Sequence, residues 1–217
     1  MARGVFISFE GSEGCGKSTQ IRLLAERLAA VNRQTLLTRE PGGTEIGEQL
    51  RQLLQFSKAG DAMTPETELL LFTASRAQLV REKIQPALES GVIVLADRFF
   101  DSTTVYQGVA RRLDAAEVAR INQFAVGDCL PDITFVFDLD VPTARARMRQ
   151  RHDAAHPPDR MESQPVAFYE AVRAGYLQLA EQTPNRVRLL NATLSIEQLA
   201  EIIWQHLSEK LDALAAA

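Results

Sequence analysis

Short apolar runs alternate along this chain with longer stretches in which apolar residues recur every three or four positions. The runs at 5–9, 34–38, 92–96, 133–137 and 187–190 read as strands. The stretches 17–31, 44–56, 65–89, 115–126, 142–151, 166–181 and 196–211 read as helices. In the first of these, Ile21, Leu24, Ala25 and Leu28 fall on one face. Pro65 suits a first helical position, and Pro86 marks a bend. Gly91 stops that helix, and the continuous apolar run after it predicts a strand covered on both faces. Alternation of this kind predicts an α/β fold in three layers, a five-stranded parallel sheet flanked by helices. The pattern holds no repeat and no long linker, so a single domain over 1–217 is expected. Ligands of such sheets bind beyond the carboxyl ends of the strands, just after Phe9, Thr38, Ala96 and Phe137.

The first of those places holds Gly11, Ser12, Glu13, Gly14, Cys15, Gly16, Lys17 and Ser18, followed by Thr19. Two glycines, a lysine and a hydroxyl at this spacing form a phosphate loop, and here it lies between a predicted strand and a predicted helix. Glycines let consecutive N–H groups point inward around phosphate oxygens. Lys17 adds charge over the β and γ phosphates, Ser18 offers a hydroxyl to Mg²⁺, and the helix N-terminus favours the anion. The fold expected is therefore the P-loop NTPase type. Beyond the third strand stand Asp97 and Arg98. A carboxylate there meets Mg²⁺ or its waters, and the guanidinium can hold a phosphate.

Composition narrows the setting. Hydrophobic residues make up 46% and charged residues 24%, with 24 basic against 28 acidic, so a basic coat for nucleic acid is not expected. Cys15 and Cys129 offer no disulfide framework, and no stretch reaches the length of a membrane span. A cytoplasmic protein is expected. His152, His156 and His206 lack metal-ligand spacing, and Trp204 falls on the apolar face of the last helix.

Further motifs follow in order: Thr38-Arg-Glu-Pro-Gly-Gly-Thr44, Gly47-Glu-Gln-Leu-Arg51, Phe72-Thr-Ala-Ser-Arg76, Asp97-Arg98-Phe99 and Tyr106-Gln107-Gly108. With the phosphate loop, they make the chain resemble the bacterial thymidylate kinases, which phosphorylate dTMP with ATP. The resemblance implies a homodimer in deoxynucleotide synthesis, with ATP and Mg²⁺ and no nucleic-acid or membrane partner. It implies that Phe72 stacks on thymine, Arg76 bonds its carbonyl and Gln107 meets the base edge. Tyr106 would wall off a ribose 2′-hydroxyl, and Ser102 and Thr103 line the pocket. Arg51 and Arg98 would clamp the dTMP phosphate, and Glu40 and Pro41 form a turn with a cis peptide. Glu13 would sit near the sugar and the transfer centre. The segment at about 151–164 would be a lid over ATP. One class of these enzymes carries an arginine where this chain has Gly14, so the catalytic arginine is expected from the lid, as Arg160 or else Arg151.

Spacing alone leaves other readings open. Phe72 and Arg76, four apart, share a helix face, which suits base binding or a core phenylalanine beside a surface arginine. A kinase for another small acceptor would use the same loop, as would a nucleotide switch. The chain lacks an Asn-Lys-x-Asp guanine motif, which argues against the switch.

Overall fold

The computed structural model describes residues 3–151 and 159–215, leaving out the side chains of 59, 61, 151 and 213–215. The described residues form the expected sheet: β1 (Phe6–Glu10), β2 (Thr35–Arg39), β3 (Ile93–Asp97), β4 (Ile133–Asp138) and β5 (Val187–Asn191). They lie in the order β2-β3-β1-β4-β5, and every pair is parallel. The helices are α1 (Lys17–Ala30), α2 (Glu45–Arg51), α3 (Pro65–Leu79), α4 (Gln85–Glu89), α5 (Phe100–Thr103), α6 (Ala115–Val126), α7 (Val141–Arg151), α8 (Val166–Gln182) and α9 (Ile196–Ala215). Helix α2 runs on through a π-helical turn, Gln52–Phe56, and α3 reaches α4 through another, Val80–Ile84, which prepares the entry of Pro86.

Strand alternation decides which helices cover which face. Ile7 and Phe9 of β1, Leu95 of β3, and Phe135 and Phe137 of β4 point to one side. There they meet Leu24 and Leu28 of α1 and Leu199, Ile203 and Leu207 of α9. Phe6 of β1 and Val94 and Ala96 of β3 point the other way, onto Leu79, Val80, Ile84 and Leu88. Val136 of β4 packs on that side against Phe168, Val172 and Tyr176 of α8. Each large side chain so buried contributes about 1.5–3 kcal/mol, which holds the strand ends in fixed register.

Side-chain caps set where the helices begin. Thr44 accepts from the N–H of Gly47 at 3.0 Å, and Asp114 from that of Glu117 at 2.9 Å. Thr64 caps α3 in the same way, with Pro65 at its first position.

At their carboxyl ends the five strands close on Glu10, Arg39, Asp97, Asp138 and Asn191. A rim of polar side chains thus tops an apolar sheet, and the loops of the site rise from it.

Candidate active site

The donor side begins where β1 gives way to α1. Lys17 is buried, and its Nζ donates to the carbonyls of Gly11 at 3.1 Å and Ser12 at 2.9 Å. The lysine arches over its own loop and holds its charge above the loop's centre. Ser18 Oγ donates to Asp97 Oδ2 at 2.9 Å, so the hydroxyl and carboxylate expected at the metal stand side by side. Thr19 follows, half-buried in the first turn of α1. Cys15 gives its main chain to the loop, but its side chain is 1% exposed and packs into the core.

Gly14 explains itself through its neighbours. Its φ is +76°, and a Cβ there would lie 2.7 Å from the carbonyl of Ala144 in α7. Any side chain at this position meets strain and a clash together.

The acceptor side is a cleft lined by Glu13, Glu40, Pro41, Gln55, Phe72, Arg76, Arg98, Ser102, Thr103, Tyr106, Gln107 and Met161. It brings together every acceptor residue expected from the sequence except Arg51, which borders it by donating to the carbonyl of the lining residue Pro41 at 3.0 Å. The Glu40–Pro41 peptide is cis, as expected. Two lining residues were missed. Gln55 lies four residues beyond Arg51 on the same helical stretch, a spacing that signals it. Met161 carries no such signal.

Arg98 leaves β3 with φ +70°. It forms an ion pair with Glu13, donates to Ser102 Oγ at 3.2 Å, and lies over the Tyr106 ring at 5.1 Å. Burial opposes its charge, but Tyr106, Glu13, Tyr176 and Glu10 together hold it protonated. Beneath it, Glu10 accepts from the N–H of Phe99 at 2.7 Å, Ser102 Oγ at 2.6 Å and Tyr176 OH at 2.8 Å. Sequence reading passed over this carboxylate, the last residue of β1.

Arg76 is 1% exposed. Its Nε donates to Glu40 Oε2 at 2.8 Å, Nη1 to Asn122 Oδ1 at 3.0 Å and Nη2 to the carbonyl of Phe99 at 3.3 Å. Nη2 also lies 2.6 Å from Glu40 Oε2. Four of the five guanidinium N–H groups are thereby engaged, and the remaining one belongs to Nη1. Burial raises the carboxyl of Glu40 to about 7, with Arg76 pulling the other way. Among the described residues, Glu40 Oε1, Gln55 Oε1 and Tyr106 OH are buried without a hydrogen-bond partner. All three line the cleft.

Sequence reading set Arg160 in a lid over ATP. The structure seats it against the acceptor wall: Nε donates to the carbonyl of Leu54 at 2.8 Å, and Nη1 lies 2.6 Å from Glu68 Oε2. Glu68 is almost fully buried, and its charge draws the guanidinium in. Asp159 and Glu162 cap each other's N–H groups around Arg160, at 2.8 and 3.1 Å. Arg151 ends α7, and its side chain lies outside the described residues, as do 152–158 of the segment expected to form a lid.

Comparisons with known proteins agree on one family. The family model for thymidylate kinase matches residues 9–203. A thymidylate kinase from Thermomicrobium roseum is 46% identical over 204 residues, covering 94% of each chain. One from Syntrophotalea carbinolica is 44% identical over 209 residues, covering 95% of this chain and 96% of its own. The crystal structure of thymidylate kinase from Ehrlichia chaffeensis superposes with a TM-score of 0.75 at 34% identity, over 95% of this chain and 99% of that one. Likeness at that level along nearly the whole length, with the cleft in the place the motifs require, means that the chain belongs to the thymidylate kinase family.

Proposed function

We propose that the chain transfers the terminal phosphoryl group of ATP to dTMP, giving ADP and dTDP, with the donor on the phosphate loop and the acceptor in the cleft beside it. The observation that carries this reading is the ion pair between Glu13 and Arg98. Glu13 belongs to the donor loop and Arg98 to the acceptor wall, so the two half-sites abut. Transfer of this kind needs positioning and charge neutralisation, with no covalent intermediate.

Lys17 and the N–H groups of the loop hold the phosphates of ATP, with Thr19 at the helix start beside them. Ser18 and Asp97 suit Mg²⁺, since a hydroxyl and a carboxylate are the hard oxygen ligands it takes and they already meet. The ion, when bound, neutralises charge on the transferring phosphoryl group. On the acceptor side, Arg98 and Arg51 clamp the dTMP phosphate, and Glu13 orients the sugar. Phe72 stacks on the base, and the free Nη1 N–H of Arg76 meets a base carbonyl. Tyr106 walls the 2′ position, with Ser102 and Thr103 lining the pocket. Glu40 and Pro41 shape its floor.

The lid arginine is best sought in α7. Ala144, Arg147 and Met148 of α7 approach Gly14 of the phosphate loop, and Arg151 is the last residue of the same helix. Arg160 then acts from the acceptor side.

Steady-state ADP release with a panel of nucleoside monophosphates tests the whole reading. Turnover is expected with dTMP, and with dUMP at a rate lower by the 1–3 kcal/mol, roughly, that one methyl group provides. Turnover with another acceptor in preference to dTMP refutes it. In the same assay Arg151→Ala should lose more kcat than Arg160→Ala; the reverse order returns the donor role to Arg160.

We also assign the chain to a cytoplasmic homodimer. Both cysteines are buried free thiols, which suits a reducing compartment. Phe124 on α6 and Leu70 on α3, two helices in contact, are 85% and 55% exposed and offer an apolar face to a second copy. A monomer at micromolar concentration in sedimentation equilibrium would exclude the dimer.

A further inference from the structure

We infer that Glu68 is the positioning residue that turns the base-facing edge of Gln107 into a hydrogen-bond acceptor, so that the cleft selects a pyrimidine bearing an imide N–H over one with a bare ring nitrogen. The inference rests on the acceptor reading above and deepens it.

Glu68 lies in the first turn of α3, where a carboxylate ordinarily faces water. Here its side chain is 2% exposed, and three residues converge on it. Gln107 Nε2 donates to Oε1 at 2.8 Å. Arg111 donates through Nε to Oε1 at 3.2 Å and through Nη2 to Oε2 at 3.1 Å. Arg160 Nη1 stands 2.6 Å from Oε2. Burial alone would raise the carboxyl of Glu68, but the bonds from Arg111 and Gln107 prevail and lower it. It is a carboxylate at neutral pH, and a carboxylate only accepts.

An amide presents a donor on one side and an acceptor on the other, and rotation by half a turn exchanges them. Glu68 removes that freedom. Only the nitrogen of Gln107 can face it, so the planar group turns Oε1 away, toward the cleft that Gln107 lines. The same cleft also holds two buried oxygens without partners, Oε1 of Gln55 and Oε1 of Glu40, the latter an acceptor once its carboxyl ionises. Two donors stand there too: the second Nη1 N–H of Arg76, beside the one given to Asn122, and the unpartnered hydroxyl of Tyr106. Acceptors beside a donor complement a ring edge in which an N–H adjoins a carbonyl. That is the imide edge of thymine and uracil. Cytosine presents the opposite polarity at both atoms, with a bare N3 beside an amino group. Left against Oε1, a bare N3 leaves two acceptors facing each other in a buried site, and sites built on hydrogen bonding reject such mismatches strongly.

The test is the ratio of kcat/KM for dTMP to that for dCMP, measured on one preparation so that the active fraction cancels. Glu68→Gln puts an amide opposite Gln107, which then accepts or donates, and the ratio should fall by roughly tenfold or more. Glu68→Asp keeps a charge for Arg111 and Arg160 but withdraws it from Gln107, and it too should lower the ratio if Glu68→Gln fails to fold. Gln107→Leu should lower the ratio, and adding Glu68→Gln to it should change nothing further. A folded Glu68 variant with the wild-type ratio overturns the inference, as does an additive double variant. Failure of the wild-type enzyme to phosphorylate dTMP would instead sink the acceptor reading beneath it.

Discussion

The two halves of the cleft are built in opposite ways. The donor half comes from consecutive residues and mostly from main chain: N–H groups, a lysine arched over carbonyls, a serine meeting Asp97. The acceptor half gathers side chains from the β2–α2 turn, the π-helical turn after α2, α3, the stretch from Arg98 to Gln107, and Met161. Its charges are buried and paired with one another. A site made of local backbone separates chemistry from stability. A site made of buried ion pairs merges the two, because the groups that read the ligand also hold the fold together.

The sharpest probe of that contrast is Lys17→Ala. Removing one preorganised charge at the transfer centre should lower kcat by roughly 10²–10³-fold. Its partners are two carbonyls and the Cys15 sulfur of its own loop, with no opposite charge left unpaired once the side chain is gone, so the melting temperature should stay within a few degrees. Calorimetry beside steady-state kinetics decides; loss of cooperative unfolding would mean that the donor half is structural after all. Arg76→Ala should behave the other way. It strands Glu40 and Asn122 in the interior, and breaking a buried pair costs about 3 kcal/mol at pH 8, or roughly 10 °C in a domain of this size. The KM for dTMP should rise well above any change for ATP. Equal melting temperatures, or equal shifts in both KM values, would erase the distinction.

The most gradual effect concerns pH. The carboxyl of Glu40 is raised from 4.5 to about 7 by burial, against the pull of Arg76. The folded chain therefore holds this proton more tightly than the unfolded one. The stability it contributes is full below pH 4.5 and is lost as pH rises toward 7, with a slope of at most about 1.4 kcal/mol per pH unit. Glu40→Gln should remove that slope. Wild-type and variant stability curves that run parallel between pH 4.5 and 7 would show Glu40 ionised throughout and leave the pair a plain ion pair.

The same contrast governs what could be read from the sequence. The phosphate loop was legible because its chemistry is contiguous. The five strands were legible too, yet each observed strand ends one residue later than its apolar run, on Glu10, Arg39, Asp97, Asp138 or Asn191. A polar residue at the end of an apolar run reads as loop, although its main chain still pairs with the neighbouring strand: Arg39 lies opposite Asp97, and Asp138 opposite Asn191. Those missed residues are the rim of the site. The helical stretch across Phe100–Thr103 and Thr104–Ala110 was also missed. Ser102, Thr103, Thr104 and Val105 are weak helix formers, and the packing of Val105 and Tyr106 against α8 overrides them. Glu68 shows the limit. In sequence it is one more acidic residue in a first turn, and only the convergence of Gln107, Arg111 and Arg160 from distant segments marks it as buried. The acceptor residues themselves were found through family likeness, since spacing alone left Phe72 and Arg76 open to a bland reading.

Gly14 carries a consequence for how such enzymes diverge. With φ at +76° and the Ala144 carbonyl 2.7 Å from where its Cβ would stand, the loop accepts no arginine while α7 keeps its place. Placing a charged side chain in the loop would require the helix to retreat first, and a retreat by itself gains nothing. The two changes are epistatic: each is harmful or useless without the other. A lineage with this arrangement is held to glycine at that position by its own packing.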